Sequence, residues 1–110
     1  MKEDEKSGIY KIECNTCDKI YIGQTRRKLK IRLKEHLSHF KFNRPEKSAM
    51  AKHALENNHT FSKITLLKEV NSPQFLDALE TIYIMKNSQF VINNEPGVFQ
   101  NSPLLPILDL

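Results

Sequence analysis

The chain has 110 residues, of which 39% are hydrophobic and 27% are charged, and its formal net charge is +4. A chain of this length forms one domain with a modest core. It has no apolar run long enough to span a membrane, and the charged opening segment MKEDEK is not followed by the apolar stretch of a signal peptide. These features argue against membrane insertion and secretion, and they predict a protein located inside the cell, the nucleus included.

Two short segments near the N-terminus alternate apolar and polar residues. They are residues 8–13 (GIYKIE) and 19–24 (KIYIGQ), and a period of two is typical of a half-buried β-strand. Asn15, Thr16 and Asp18 between them are common turn residues. The pattern predicts a β-hairpin with both cysteines of the chain at its tip, preceded by a flexible N-terminus over residues 1–7.

A densely basic segment follows the hairpin. Residues 26–34 (RRKLKIRLK) hold six cations and no acidic residue. They open a predicted helix over residues 26–40, capped by Thr25, with Leu29, Leu33, Leu37 and Phe40 as its apolar stripe. Such a block is typical of a surface that binds DNA or RNA, and also of a solvated helix face. The predicted DNA contacts are Arg26, Arg27, Lys28, Lys30 and Lys34.

The rest of the chain predicts two more helices and one strand. Ser48 can cap a short helix over residues 49–56, which Asn57 and Asn58 can end. Residues 61–70 form the strand, and a helix over residues 73–87 follows. The predicted fold is α+β, of order ββααβα, with a small three-stranded antiparallel sheet flanked by helices and an irregular tail over residues 98–110. The last helix is expected to bury Phe75, Leu76, Leu79, Ile82 and Tyr83.

Two cysteines and two histidines have the spacing of a metal site. Cys14 and Cys17 form a Cys-x-x-Cys pair, and five residues separate His53 from His59. Two thiolates and two imidazoles make a closed tetrahedral shell for a structural Zn²⁺. Thirty-five residues separate Cys17 from His53, far more than in a ββα zinc finger. The alternatives are a redox pair, which should open a helix, and four side chains without a shared role.

Several short motifs together point to a known family. GIY at residues 8–10 and YIG at residues 21–23 are ten residues apart, and QT and a basic helix follow them. In these motifs the chain resembles the GIY-YIG nuclease family. The Cys-x-x-Cys pair inside the hairpin and the later AKHALENNH segment are similar to the branch found in Penelope-like retroelements. The resemblance runs over about residues 8–97, and it implies an endonuclease domain that can be part of a larger protein.

The resemblance also implies roles for single residues. The carboxylate that binds catalytic Mg²⁺ or Mn²⁺ falls on Glu80, and Asp77 is expected on the opposite side of that helix. The asparagine near the end of the domain falls on Asn93, with Asn94 as its competitor, although the proline that often precedes it is missing. The two motif tyrosines, the helix arginine and the histidine one turn later fall on Tyr10, Tyr21, Arg32 and His36.

These roles predict a Mg²⁺-dependent DNA endonuclease that cuts one strand per active site and carries a structural zinc. Arg32 is expected to hold the scissile phosphate, and Tyr10 to act as base or water-positioning group with help from Tyr21 or His36. A free phenol has a pKa of about 10, so Tyr10 needs a nearby cation to act as a base. The alternative is a catalytically inactive, zinc-stabilised module that binds nucleic acid.

Overall fold

The structure is a computed structural model that describes residues 6–94. Most of the predicted flexible N-terminus and the whole predicted tail over residues 98–110 lie outside that range. No helix in residues 6–94 is both long and apolar enough to cross a membrane. The strands are β1 (Gly8–Cys14), β2 (Ile20–Thr25) and β3 (Phe61–Glu69), and the helices are α1 (Leu29–Lys41), α2 (Ala49–Asn57) and α3 (Leu76–Lys86). The predicted order ββααβα is confirmed.

The three strands form one antiparallel sheet in the order β2-β1-β3. Its two faces carry separate core clusters because successive side chains of a strand point to opposite sides. Tyr10, Ile12 and Tyr21 belong to the cluster that includes Leu29 of α1 and Met50 of α2. Residues of the opposite face pack with α3, and these are Ile9, Ile22, Leu76 and Ile84. The sheet therefore lies between α1 and α2 on one side and α3 on the other.

Gly23 of the YIG motif lies where the two motif tyrosines meet β2. It is the partner of Tyr10 in the ladder between β1 and β2. A Cβ atom at this position would collide with the Tyr10 hydroxyl oxygen and lie 2.9 Å from Cε2 of Tyr21. Because glycine has no side chain, the phenol of Tyr10 can lie across the strand.

The helix α1 begins three residues later than predicted, at Leu29 instead of residue 26. Thr25 does not cap it. Its Oγ1 accepts a hydrogen bond from the Arg27 backbone N–H at 3.0 Å, which forms a local turn instead. Lys28 is the N-cap residue and makes no side-chain capping bond. The predicted apolar stripe is confirmed, since Leu29 is buried and three further residues pack on the core, namely Leu33, Leu37 and Phe40.

The ends of α2 are as the sequence predicts. Ser48 Oγ accepts the Ala51 N–H at 3.1 Å, which is the hydrogen bond of an N-cap. Asn58 ends the helix in the left-handed conformation, with φ of 57° and ψ of 41°. This stop turns the chain so that His59 lies beside the helix that carries His53.

The predicted buried face of α3 is wrong in two positions. Phe75 is 54% exposed and Ile82 is 45% exposed. Phe75 lies in the short 3₁₀ turn before the helix, and the helix starts only at Leu76. The face that is buried comprises Leu76, Glu80, Thr81 and Ile84. Glu80 is therefore a buried carboxylate on the inner face of α3.

Candidate active site and metal centre

Two side chains of α1 meet at the hydroxyl of Tyr10. Arg32 Nε donates a hydrogen bond to the Tyr10 oxygen at 3.2 Å, and His36 Nε2 lies 2.9 Å from the same oxygen. Arg32 and His36 are one helical turn apart, so they point to the same side of α1. Tyr10 and His36 are 0% and 1% exposed. The structure thus brings these three sequence-predicted residues into one buried polar cluster.

The other ring nitrogen of His36 contacts Ser48, which the sequence predicted only as the cap of α2. His36 Nδ1 lies 2.6 Å from Ser48 Oγ, and the same oxygen caps α2. The tautomer with its proton on Nδ1 is compatible with these contacts: Nε2 then accepts from the Tyr10 hydroxyl, and Nδ1 donates to Ser48 Oγ.

Burial sets the protonation of this cluster. It raises the pKa of Tyr10 well above the usual value, with Tyr21 adding to the effect and Arg32 opposing it. It lowers the pKa of His36 to about 3, aided by the positive charge of Arg32 and by His39. Arg32 is thus the cation that Tyr10 requires to act as a base, but the effect of burial on the Tyr10 pKa is larger than that of Arg32. Near neutral pH, Tyr10 is a neutral phenol and His36 a neutral imidazole.

Tyr21 packs against this pair through its ring. Its centroid lies 5.5 Å from that of His36 and 6.3 Å from that of Tyr10, both in tilted or edge-on arrangements. Burial raises the pKa of Tyr21 to about 12, and the nearby Glu80 carboxylate adds to the shift. Tyr21 therefore holds the rings in place as a neutral side chain.

Glu80 reaches the site from α3 together with a second carboxylate. The side-chain amide of Gln24 donates to Glu80 Oε2 at 2.9 Å and to Asp77 Oδ1 at 2.7 Å. The prediction that Asp77 lies on the opposite side of the helix is therefore wrong, because residues three apart are neighbours on a helix surface. Burial raises the pKa of Glu80, and the charge of Asp77 raises it further. Sequence reasoning missed Gln24, although it directly follows YIG.

The Cys2His2 set forms a compact cluster. The ligand atoms of Cys14, Cys17, His53 and His59 all lie within 4.8 Å of one another. Cys14 Sγ is 3.3 Å from His59 Nδ1, and Cys17 Sγ is 3.4 Å from His53 Nε2. Ligands of one tetrahedral zinc ion are expected about 3.3–3.8 Å apart, given the usual zinc–sulfur and zinc–nitrogen bond lengths. These two sulfur–nitrogen pairs have the separation of ligands to one zinc ion, as the sequence predicts.

The comparison with protein families agrees with this geometry. The model of the GIY-YIG catalytic domain matches residues 6–94. The chain belongs to the GIY-YIG family. Neither a curated protein nor a solved structure matches it. Family membership implies nuclease activity on DNA, and the Cys2His2 cluster fits a zinc-containing variant of the GIY-YIG domain.

The asparagine near the end of the GIY-YIG domain pairs with the backbone of β2. Asn93 Nδ2 donates to the Ile22 carbonyl at 2.8 Å, and Asn93 Oδ1 accepts the Ile22 N–H at 3.0 Å. Val91 forms a parallel bridge with Ile20 just before it. These contacts place Asn93 at the outer edge of β2, where it positions the strand that carries Tyr21. The side chain of Asn94 lies outside the described part of the domain.

The predicted DNA contacts of the GIY-YIG domain fall into two groups. Arg26, Arg27 and Lys28 are exposed before α1 begins, and Arg27 forms an ion pair with Glu35 at 2.6 Å. Glu35 also pairs with Arg32 at 3.1 Å, which joins this group to the candidate active site. The second group lies on the opposite side of α1 from Arg32, as helical periodicity requires, and consists of Lys30 and Lys34.

Proposed function

We propose that residues 8–97 form a divalent-metal-dependent DNA endonuclease that hydrolyses one strand per active site and is stabilised by a structural zinc. The observation that carries this proposal is the approach of Arg32 and His36 to the Tyr10 hydroxyl. Phosphodiester hydrolysis needs a group that positions and deprotonates water, a cation at the phosphate and a metal ion. The cluster supplies the first two, next to the carboxylate of Glu80.

Arg32 holds the scissile phosphate. Two of its five N–H groups are used in the described contacts with Tyr10 and Glu35. These two bonds anchor the guanidinium, whose remaining N–H groups are available for phosphate oxygens. Its side chain is 20% exposed, enough for a ligand to reach it.

Tyr10 and His36 act together as the base. The Tyr10 hydroxyl is fully buried in the free protein, so substrate binding has to open it to the attacking water. Tyr10 then takes a proton from this water while its own proton passes to His36 Nε2. His36 starts neutral, and its low basicity in the free protein reflects burial beside Arg32. A bound phosphate brings negative charge to the site, and an opposite charge raises the proton affinity of an imidazole. Ser48 accepts the Nδ1–H throughout and keeps the ring in position.

Glu80 and Asp77 fit a divalent cation, since carboxylate oxygens are the ligands that Mg²⁺ and Mn²⁺ prefer. Both already hold the amide hydrogens of Gln24, so a cation competes with this amide for the same oxygens. When bound, the ion neutralises negative charge that develops on the phosphate.

The exposed face of α1 contacts the duplex. An α-helix with its side chains is about as wide as the major groove of DNA. The group at Arg26, Arg27 and Lys28 then contacts the strand to be cut, and Lys30 and Lys34 contact phosphates of the other strand.

The zinc ion is structural because four protein ligands leave no open position. The Cys2His2 cluster also supports a relationship of this domain to the endonucleases of Penelope-like retroelements. The domain would then be part of a larger protein that acts on nuclear DNA.

Nicking of supercoiled plasmid in the presence of Mg²⁺ or Mn²⁺ tests the proposal. Glu80→Ala should slow nicking about a hundredfold or more while DNA affinity stays unchanged or rises, because the carboxylate acts mainly in the transition state. Tyr10→Phe, which removes only the hydroxyl, should also lose nicking. Glu56→Ala, at an exposed carboxylate of α2, is the matched control and should keep the wild-type rate. DNA binding without nicking by the wild type would leave the inactive binding module as the function.

A further inference from the structure

One exposed aromatic ring at the C-terminal end of α1 has two cations close to it. Phe42 is 57% exposed. Lys41 Nζ and the Arg44 guanidinium carbon lie 5.5 Å and 5.3 Å from its ring centroid. Proteins that bind single-stranded nucleic acids use this combination, because unpaired bases stack on the ring while cations contact the phosphates.

The backbone fixes the position of this ring. The Phe42 N–H donates to the Ser38 carbonyl at 2.9 Å, and the Arg44 N–H donates to the His39 carbonyl at 2.7 Å. Asn43 between them has a φ of 56°, in the left-handed region that asparagine tolerates. The turn after α1 is therefore hydrogen-bonded, and it holds Phe42 and Arg44 beside each other.

Phe42 lies on the same side of α1 as the active site. Residues at i, i+3, i+7 and i+10 share one side of a helix, and Arg32, Glu35, His39 and Phe42 have this spacing. At 1.5 Å per residue, Phe42 lies about 15 Å from Arg32 along the helix. In a DNA duplex, one strand advances about 3.4 Å per nucleotide along the duplex axis. A paired strand that runs from Arg32 along α1 thus reaches Phe42 after about four or five nucleotides.

The other exposed phenylalanines lack these features. Phe75 is exposed to a similar degree, but it lies before α3 on the opposite face of the sheet. Among residues 6–94, no cation lies over the ring of Phe75 or Phe90. The cationic surroundings distinguish Phe42 from them, and Phe75 is a matched control.

We propose that Phe42, Lys41 and Arg44 bind an unpaired base and its phosphates about four or five nucleotides from the scissile bond. We call these three residues the Phe42 platform. A base can stack on a protein ring only when its own face is open, so the platform selects DNA with a single-stranded segment over continuous duplex. The preference for such DNA as a substrate rests on the proposed nuclease function. Binding of single strands by the platform is independent of that function.

Binding is measured by fluorescence anisotropy without added Mg²⁺, using a labelled single strand of about 16 nucleotides and the same sequence as a duplex. Phe42→Ala should weaken single-strand binding by about five- to a hundredfold, the value of one stacked base. Duplex binding should change less than about twofold. Phe42→Trp should restore single-strand binding, and its fluorescence should be quenched by the oligonucleotide. Phe75→Ala should match the wild type. Equal single-strand affinity of wild type and Phe42→Ala would overturn the proposal.

Cleavage of a duplex that carries a single-stranded flap separates this proposal from the nuclease function. The wild type should nick about four or five nucleotides from the junction, and Phe42→Ala should lose this preference for position. If the wild type nicks without any such preference, the platform fails and the nuclease stands. If Phe42 is needed to bind single strands but the wild type never nicks, the platform stands and the nuclease function fails.

Discussion

A fully buried phenol and a buried imidazole form the centre of the candidate site, and burial makes both neutral. In the proposed mechanism, these two neutral groups share one proton transfer, and the charge forms only when a phosphate is bound. The GIY and YIG tripeptides make this arrangement possible. The tyrosines supply the rings, and Gly23 supplies the space in which the Tyr10 hydroxyl meets His36.

The buried state of His36 predicts a pH dependence of stability. Its pKa in the folded protein is about 3, against about 6.5 in the unfolded chain. Below pH 6.5 the unfolded state takes up a proton that the folded state does not, so the free energy of unfolding falls as the pH drops from about 6.5 toward 3. Between pH 7 and pH 5 this contribution amounts to about 2 kcal/mol.

Urea denaturation of wild type and His36→Gln at pH 7, 6 and 5 measures this difference. Glutamine can replace the hydrogen bonds of His36 but does not titrate. Between pH 7 and pH 5, the free energy of unfolding of the variant should therefore fall by about 2 kcal/mol less than that of the wild type. Protonation of the Cys2His2 set affects both proteins and cancels in the comparison. If the free energies of unfolding of the two proteins changed equally with pH, His36 would not be held neutral in the folded state.

At the scale of elements, the sequence predicted the features that depend on interactions between residues close in the chain. The hairpin, the Ser48 cap of α2 and the left-handed stop at Asn58 each depend on residues within a few positions of one another. The start of α1 was predicted wrongly because the Thr25 hydroxyl can either cap a helix or accept a hydrogen bond in a local turn. In the structure it accepts the Arg27 N–H in a turn. The second role of Ser48 could not be predicted, since its bond to His36 depends on how α1 and α2 pack.

The helix α1 carries two of the five predicted contacts to DNA, Lys30 and Lys34, and salt dependence tests them. If Lys34 contacts a phosphate, Lys34→Ala should lower the slope of log affinity against log salt for duplex DNA by about one. Lys63→Ala is the control, because Lys63 is exposed on β3 and is not one of the predicted DNA contacts. Affinities are measured at several salt concentrations in the absence of Mg²⁺. Equal slopes for Lys34→Ala and wild type would remove Lys34 from the DNA-binding surface.

At the scale of the whole molecule, the Cys2His2 cluster ties the end of β1 to α2. Ser48, the N-cap of the same helix, contacts the His36 ring, so the Cys2His2 cluster and the candidate active site share one element. The sequence indicated the cluster through the spacing within each ligand pair. It could not show that the two pairs meet, since that depends on strand pairing between β1 and β3.

Metal analysis tests this connection. Protein purified without added metal should contain about one zinc per chain, and Cys17→Ser and His53→Ala should lose it together with several kcal/mol of stability. Both variants should also nick DNA more slowly, since α2 no longer holds Ser48 in place. His39→Ala changes a histidine outside the cluster and should keep its zinc. A zinc-free wild type with an unchanged melting temperature would contradict a structural role of the metal.

The order of the residues along the chain has a consequence during synthesis. Tyr10 and Arg32 are made early, whereas Glu80 follows only after β3 and Asn93 closes the edge of β2 later still. At ordinary translation rates, about 2 to 10 seconds separate Arg32 from Glu80. During this interval the nascent chain on the ribosome, itself rich in nucleic acid, already carries the basic segment of residues 26–34 but not Asp77 and Glu80. A nuclease built in this order can attach to nucleic acid before it can cut it.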